Sequence, residues 1–417
     1  MKKNLLLITE SFPFDEAELG FLETEFQELT ECFQVTVLTS SKKQTPVCTV
    51  PQDVAFYRFE DIRLDPLQLL GQVRHAEVRS EMHRLLPKVW RHATLRQLLD
   101  AVAFSARADK IAKQMCKIVE ERNIQLIYTY WCTEATLAAL RMKNKLPRQL
   151  KVVTRFHGYD LYNERRQSGR QPLRAYIAQN ADRLFFACER ARKYFLRCWP
   201  GEWEQRCRVA YLGSQPMPLK TQIHGERLII ASCSNMIPLK RIECIIQSLA
   251  LLPDNVQAEW HHFGDGTSRQ ILEKLAKCLL QDKQNVSWHF WGAVAHANLV
   301  QRYAMLQPDV FLTTSSTEGG APVSVQEAMA MGVPAIGTDV GGMAELIRDG
   351  VNGYLLPEDV SAQQVCDAIV RFARLKPVQR QAFSRAAVEL WEKRFDARRC
   401  AAHFVEQMKG LEDGGKT

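Results

Sequence analysis

Short runs of Val, Ile, Leu and Phe with no polar residue at every second place recur along this chain, each followed by a stretch long enough for a helix. A strand with one face in water alternates apolar and polar residues; a strand covered on both faces does not. The runs occupy residues 5–9, 35–39, 126–129, 152–156, 184–187 and 209–212. A second set follows at 228–232, 258–263, 286–291, 310–314, 334–338 and 353–356. Strand–helix alternation carried through twice predicts an α/β protein with two doubly wound parallel sheets. A length of 417 residues is also too great for one core and suits two domains.

The stretch 214–226, SQPMPLKTQIHGE, has two prolines, a glycine and little apolar content, and it separates the two sets of strands. The expected division is a first domain over 1–215, a second over 226–390, and a C-terminal helix with a frayed tail over 391–417. Within the first domain, residues 60–122 offer no good strand and read as a basic helical insertion. Helices are expected at 269–281, 324–331 and 361–375, and one or two more between about 383 and 408. The opening MKKNLLLITESFPF loses its apolar run at Thr9 and Glu10, so it reads as a first buried strand and not a signal peptide. No run reaches the ~18 apolar residues of a membrane-spanning helix.

Twelve cysteines are scattered singly with no CxxC pair, which predicts reduced thiols in a cytoplasmic protein and no zinc site. Cys132 and Cys233 are expected to fill space. The net charge of +8 is uneven: residues 1–215 carry 34 lysines and arginines against 25 acids, and 141–197 alone carry 15 against 4. Such a face is either plainly solvated or attracted to something anionic, such as a phospholipid surface or a lipid-diphosphate acceptor. No nucleic-acid-binding module is recognisable, so nucleic acid is not an expected partner.

Ligands of doubly wound sheets bind beyond the carboxyl ends of the strands, so the loops leaving those ends carry the chemistry. The richest segment is 309–357. After the strand at 310–314 come Glu318, Gly319, Gly320, Ala321 and Val323, then a helix with Glu327 in its first turn. A second glycine pair, Gly341–Gly342, again lies between a strand and a helix beginning near Ala344–Glu345. Glycines permit close backbone approach, helix N-termini attract anions, and carboxylates accept hydrogen bonds from sugar hydroxyls. Turn-forming and helix-capping roles would explain one such loop; two in succession with acids beside them point to a site.

This segment resembles the donor-binding half of glycosyltransferase family 4, whose enzymes are retaining and have the GT-B fold. The family pattern E-x7-E, A-M-A-x-G-x-P-V, G-G-x-x-E and D-G-x-N-G is matched by Glu318, Glu327, AMAMGVPAIGTDVGG, Glu345 and DGVNG. Here eight residues, not seven, separate Glu318 from Glu327. The resemblance implies two Rossmann-like domains facing across a cleft, with C-terminal helices crossing back to the first. It implies that Glu327 bonds the ribose of a nucleotide and that Glu318 lies near the transferred sugar. Residues 232–249 resemble the family's G-R-L-x-x-x-K-G loop: Lys240 matches the phosphate-binding lysine, Asn235 stands where the arginine usually does, and Arg241 is a candidate second cation. Gly264 and Gly266 match a G-x-G turn lining the nucleotide, and Trp291 falls in the F-L-G-x-V segment that meets the base, with a core aromatic as the alternative reading. In the first domain, ESFPFDEAELGFLETEF resembles the F-P-F-G-x-G-E-x-F-L-E-x-E loop of surface-polysaccharide enzymes, which places Glu18 near the acceptor or donor. TRFHGYDLY resembles H-G-x-D, giving His157 a bond to the sugar or diphosphate and Asp160 an orienting role; a satisfied core histidine is the alternative.

The reaction so implied moves a hexose-type sugar from a UDP- or GDP-sugar to a hydroxyl of a glycan, lipid-linked and part of surface-polysaccharide assembly. His157 and Glu318 are the candidate catalytic residues, no cofactor is required, and the absence of a D-x-D pair predicts no metal ion. The enzyme is expected in the cytoplasm, at the inner face of the membrane. Two rivals stay open: a GT-B epimerase or hydrolase of nucleotide-sugars, and a non-catalytic nucleotide-sugar-binding subunit.

Overall fold

The computed structural model describes residues 2–85, 92–146, 149–222, 224–225 and 227–411. The chain divides into two compact units, Met1–Ala210 with Cys400–Thr417, and Tyr211–Arg399. In the first unit β1 (Lys3–Thr9), β2 (Phe33–Thr39), β3 (Ala55–Arg58), β4 (Leu126–Thr129), β5 (Lys151–Phe156), β6 (Arg183–Phe186) and β7 (Cys207–Val209) form one sheet of order β3-β2-β1-β4-β5-β6-β7. In the second, β8 (Arg227–Cys233), β9 (Gln257–Phe263), β10 (Val286–Phe290), β11 (Val310–Thr313), β12 (Ala335–Thr338) and β13 (Gly353–Leu356) take the order β10-β9-β8-β11-β12-β13. Every pairing in both sheets is parallel. The winding reverses between β1 and β4 and again between β8 and β11, which is where a doubly wound sheet opens a crevice.

The unbroken apolar runs do what a two-sided sheet requires. Along β11, Val310 and Leu312 enter one core cluster and Phe311 enters the other, on the opposite side of the sheet. Two elements differ from expectation. β3 reads AFYR and all four of its residues are only half-buried, so an edge strand with no apolar run left no signal. β7 ends at Val209, whereas a strand over 209–212 was expected. After the bond from Ala210 N to Phe186 O the chain leaves the sheet, and Tyr211 already belongs to the second unit. The change of unit therefore precedes the Pro-rich 214–226 stretch. Among the described residues of the insertion lie helices Pro66–Leu70, Ala76–Leu85 and His92–Glu121. The tail expected to fray, 412–417, lies outside the described residues.

The second unit's two ends meet. Ser214 and Asp396 form a parallel bridge, Ser214 N donates to Phe395 O at 2.9 Å, and Ala397 N donates to Ser214 O at 3.0 Å. Beside them Gly213 has φ +73°, and a Cβ there would lie 2.6 Å from Ala397 Cα. The last helix, Ala397–Lys409, then returns to the first unit from Cys400 onward. Its Phe404 packs on Tyr128 and Phe185 with ring centroids 5.0 and 4.7 Å away, and the Arg155 guanidinium lies 4.3 Å from the Phe404 ring. Arg155 is 0% exposed and pairs with Glu25 at 2.7 Å. Burial, partly offset by Arg155, holds the Glu25 carboxyl above its usual range. Removing one member of such a pair strands a buried charge, whereas replacing both by apolar groups does not. Arg155→Met alone is expected to lower stability by about 3–5 kcal/mol, and the Arg155→Met/Glu25→Leu double variant to recover most of it, as read by urea unfolding.

Candidate active site

In the second unit the loops leaving β8, β11 and β12 touch backbone to backbone at the β8/β11 reversal. Gly264, at φ +139°, has its Cβ position 1.9 Å from Ser234 O, and Gly266 has its own 2.5 Å from Met236 O, so no side chain fits at either place. These two glycines pin the β8 loop, with Met236 N donating to Asp265 O at 2.8 Å. The loop then makes one 3-10 turn, Pro238–Lys240, and Arg241 takes the left-handed conformation at φ 46°. Thr314 Oγ1 donates to Arg241 O at 2.8 Å, Arg241 Nε donates to Thr314 O at 2.9 Å, and Ser316 N donates to Leu239 O at 2.8 Å. The β8 and β11 loops are thus sewn together. Across them Lys240 Nζ meets Glu318 Oε1 at 2.5 Å.

The β11 loop is fixed from its other side by the β12 loop. Gly342 N donates to Gly320 O at 2.8 Å, and a Cβ on Gly341, at φ +54°, would sit 2.6 Å from Glu318 Cβ. Ala321 is buried, and a Cβ on Gly342 would lie 2.8 Å from its Cα. The helix Val323–Ala330 follows with Pro322 at its N-cap and no side-chain cap. The helices Ile242–Ala250 and His296–Leu306 also start without a side-chain cap. Their first amides are therefore left to attract an anion. Glu327 is buried and bonds His296 Nε2 at 2.8 Å. That hydrogen bond raises the His296 pKa, against a smaller opposing effect of burial.

In the first unit the exits of β1, β4 and β5 converge. Glu18 is buried and accepts from Ser11 N at 2.6 Å, Phe12 N at 2.7 Å and Ser11 Oγ at 3.0 Å, and also from Trp131 Nε1. Asp160 accepts from His157 N and from Cys132 N, each at 2.9 Å, and burial pushes its pKa up to about 6 despite those bonds. The His157 ring lies between Tyr130 and Trp131, with centroids 4.5 and 4.3 Å away, and neither ring nitrogen has a hydrogen-bond partner among the described residues. Burial, then the nearby Arg155 charge, hold its pKa well below 6.5, so the ring is neutral.

The sequence profile of the family "Glycosyl transferases group 1" matches residues 216–389, the part of the chain that holds Lys240, Glu318 and Glu327. Residues 216–389 thus carry the likeness to group 1 glycosyltransferases. The chain is 23% identical over 323 residues, 75% of this chain and 81% of the relative, to N-acetyl-alpha-D-glucosaminyl L-malate synthase of Bacillus anthracis. It is 22% identical, over 74% of this chain and 76% of the relative, to the putative colanic acid biosynthesis glycosyltransferase WcaL of Salmonella typhimurium. Among solved structures, sucrose-phosphate synthase from Thermosynechococcus elongatus superposes over 99% of this chain and 100% of that one, with a TM-score of 0.72 at 16% identity. Both units thus have the Rossmann-like form of GT-B transferases.

Several residues sit otherwise than the sequence implied. Glu18, expected beside acceptor or donor, is taken up by backbone amides of its own loop and serves to shape that loop. Glu327 is the fifth residue of its helix and lies in the second turn, because the helix starts at Val323 and not Ser324. Glu345 accepts the Tyr211 hydroxyl and lies 3.8 Å from Arg394, which ties it to the entry of the second unit. Trp291 is half-buried, parallel to Phe263 at 5.9 Å, under the Arg302 guanidinium at 3.9 Å. Asn235 is exposed, and its carbonyl accepts from Ile237 N at 2.9 Å.

Other residues at the strand ends gave no sequence signal. His296 is one, since a lone histidine among alanines carries no motif. Glu10, at the exit of β1, accepts from the Tyr159 hydroxyl. Among the described residues one cluster, Glu259, His261 and His289, brings three metal-ligand atoms within 4.8 Å of one another. Trp291 Nε1 donates to His261 Nδ1 at 3.1 Å, so the His261 proton sits on Nε2, which faces Glu259 at 3.1 Å. That tautomer turns an N–H, not a lone pair, toward the cluster.

A histidine whose folded pKa is raised contributes stability in full below its unfolded value of 6.5 and loses it as pH rises through the folded value. His296 is expected to titrate above 6.5 by NMR, and Glu327→Gln to bring its midpoint back toward that value.

Proposed function

We propose that this glycosyltransferase moves a hexose-type sugar, with retention of anomeric configuration and without a metal ion, from a UDP- or GDP-sugar to a hydroxyl of a lipid-linked glycan in surface-polysaccharide synthesis. It would work in the cytoplasm at the inner face of the membrane; no helix among the described residues is long and apolar enough to cross one. The observation that carries the reading is the Lys240–Glu318 pair at the β8/β11 reversal, beside helix N-termini with no side-chain caps. A diphosphate arriving there exchanges a carboxylate partner of Lys240 for phosphate oxygens and meets free amides. Glu318 is then released toward the sugar.

Each charge has a place in the transfer. As the bond from the anomeric carbon to the diphosphate oxygen breaks, negative charge grows on that oxygen, and Lys240 with Arg241 and the helix ends stabilise it. The acceptor hydroxyl attacks from the same face and gives its proton to the departing oxygen, which leaves a new glycosidic bond and a nucleoside diphosphate. Glu327 holds the ribose, in competition with His296. Gly264, Gly266, Gly319, Gly320, Ala321 and Val323 let the donor approach the backbone. His157 is neutral and desolvated, which suits a hydrogen bond to a sugar hydroxyl or a phosphate oxygen, and Asp160 fixes its loop. The putative WcaL relative's link to colanic acid supports the polysaccharide setting.

UDP or GDP at 100 times its dissociation constant is expected to stabilise the protein by about 2.7 kcal/mol in a thermal shift, with Lys240→Ala losing most of that gain. No shift with either nucleotide would sink the proposal. Glu318→Gln and His157→Ala are expected to lower turnover by about a hundredfold or more while nucleotide binding stays within a few-fold. Binding without transfer in the wild type would instead favour a non-catalytic subunit, and donor consumption without acceptor an epimerase or hydrolase.

A further inference from the structure

Many of the first unit's cations are committed to its own fold. Arg141 pairs with Glu77 at 2.7 Å and Asp109 at 2.8 Å, Lys143 and Lys151 share Asp182, Arg166 meets Asp100 at 2.6 Å and Arg170 meets Glu81 at 3.2 Å. Arg174 is 1% exposed and donates to the carbonyls of Cys132 and Asp160. Eight of the 15 cations in the basic stretch that suggested an anionic acceptor, Arg155 and Arg192 among them, are therefore already paired or buried within the fold.

The carboxyl ends of β1 to β4 tell the opposite story. A cavity of about 270 Å³ opens there, at the reversal between β1 and β4, with Phe59 and Trp131 as apolar walls. Glu10, Glu60, Asp61 and Glu134 line it against a single lining cation, Lys42. Lys42 is paired with Asp61 at 3.0 Å, and Glu134 is held by Arg107 at 2.8 Å. Glu10 and Glu60 have no cation partner among the described residues. Behind the wall, the buried His157 ring with its two unpartnered nitrogens packs on Trp131, and Tyr159 lies 4.8 Å from Trp131 while donating to Glu10. Burial, with the charges of Glu18 and Glu134, raises the Glu10 pKa against the Tyr159 bond.

Carboxylates accept hydrogen bonds from hydroxyls, aromatic faces suit the C–H faces of a pyranose, and a small cavity suits one ring. A phosphate monoester in the same place would face uncompensated carboxylates, and like charges at such separations repel. We infer that this cavity receives the accepting sugar as an uncharged, hydroxyl-rich ring, with Glu10 as its specificity-determining carboxylate, and turns away acceptors that carry phosphate on that ring. The inference rests on the transferase reading above, and it leaves a lipid diphosphate of the acceptor outside the cavity.

The test uses the full chain and saturation-transfer NMR with methyl glycosides of neutral hexoses, each set against the matching hexose monophosphate. Neutral glycosides are expected to show transfer, with the monophosphates about tenfold weaker; Glu10→Gln should weaken the neutral ligands about tenfold, since a hydrogen bond to a charged group is lost. Glu10→Lys should reverse the preference. Monophosphates binding as well as neutral glycosides, no transfer from any neutral glycoside at tens of millimolar, or a Glu10→Gln variant that binds them like the wild type would each overturn the inference. Nucleotide-induced thermal shift, read in parallel, reports only on the donor unit. A circular-dichroism melt like the wild type's shows that Glu10→Gln is folded, and absence of the nucleotide shift in the wild type would sink the transferase reading separately.

Discussion

Backbone must meet backbone closer than a Cβ allows at the carboxyl end of the second sheet, and the rest of the candidate site depends on it. Gly264 against Ser234, Gly266 against Met236, and Gly341 and Gly342 against the segment Glu318–Ala321 are the contact points. Remove that closeness and the loops leaving β8 and β11 separate. Lys240 would then lose its place relative to Glu318. A positive φ at Gly264 and Gly341 makes glycine the residue that holds each place without strain.

The charges these loops position are held in readiness by one another. Lys240 rests on Glu318, and Glu327 rests on His296. Each pairing satisfies groups that would otherwise stand desolvated, and each is weak enough to exchange because His296 and the loop residues remain partly open to water. Arg241 is different. Its strained backbone and its bond to Thr314 make it a strut between loops first and a cation second.

Fold class was legible because parallel strands buried on both faces leave an unmistakable trace, and nearly every run became a strand within a residue or two. β3 escaped because an edge strand needs only half-burial, and β7 was misplaced because the apolar residues after Val209 serve the second unit's core. In the candidate site the motif glycines and acids lie on loops that the structure packs together, yet side-chain direction was out of reach. Glu18 looked like a ligand-facing acid and turned inward to amides, while Glu10, eight residues earlier and without a motif, faces the cavity. A charge tally is blind in the same way: it does not show that Arg141, Arg155 and Arg174 are buried with partners.

The clasp at Ser214 and Asp396 has a topological meaning. Because residues 211–399 begin and end at one paired point, they form an inserted cassette within a host chain whose own last helix is completed afterwards. Selection, or a designer, can therefore exchange residues 211–399 between relatives as a single block, grafted close to one paired point, without rewiring the sheet of the host unit.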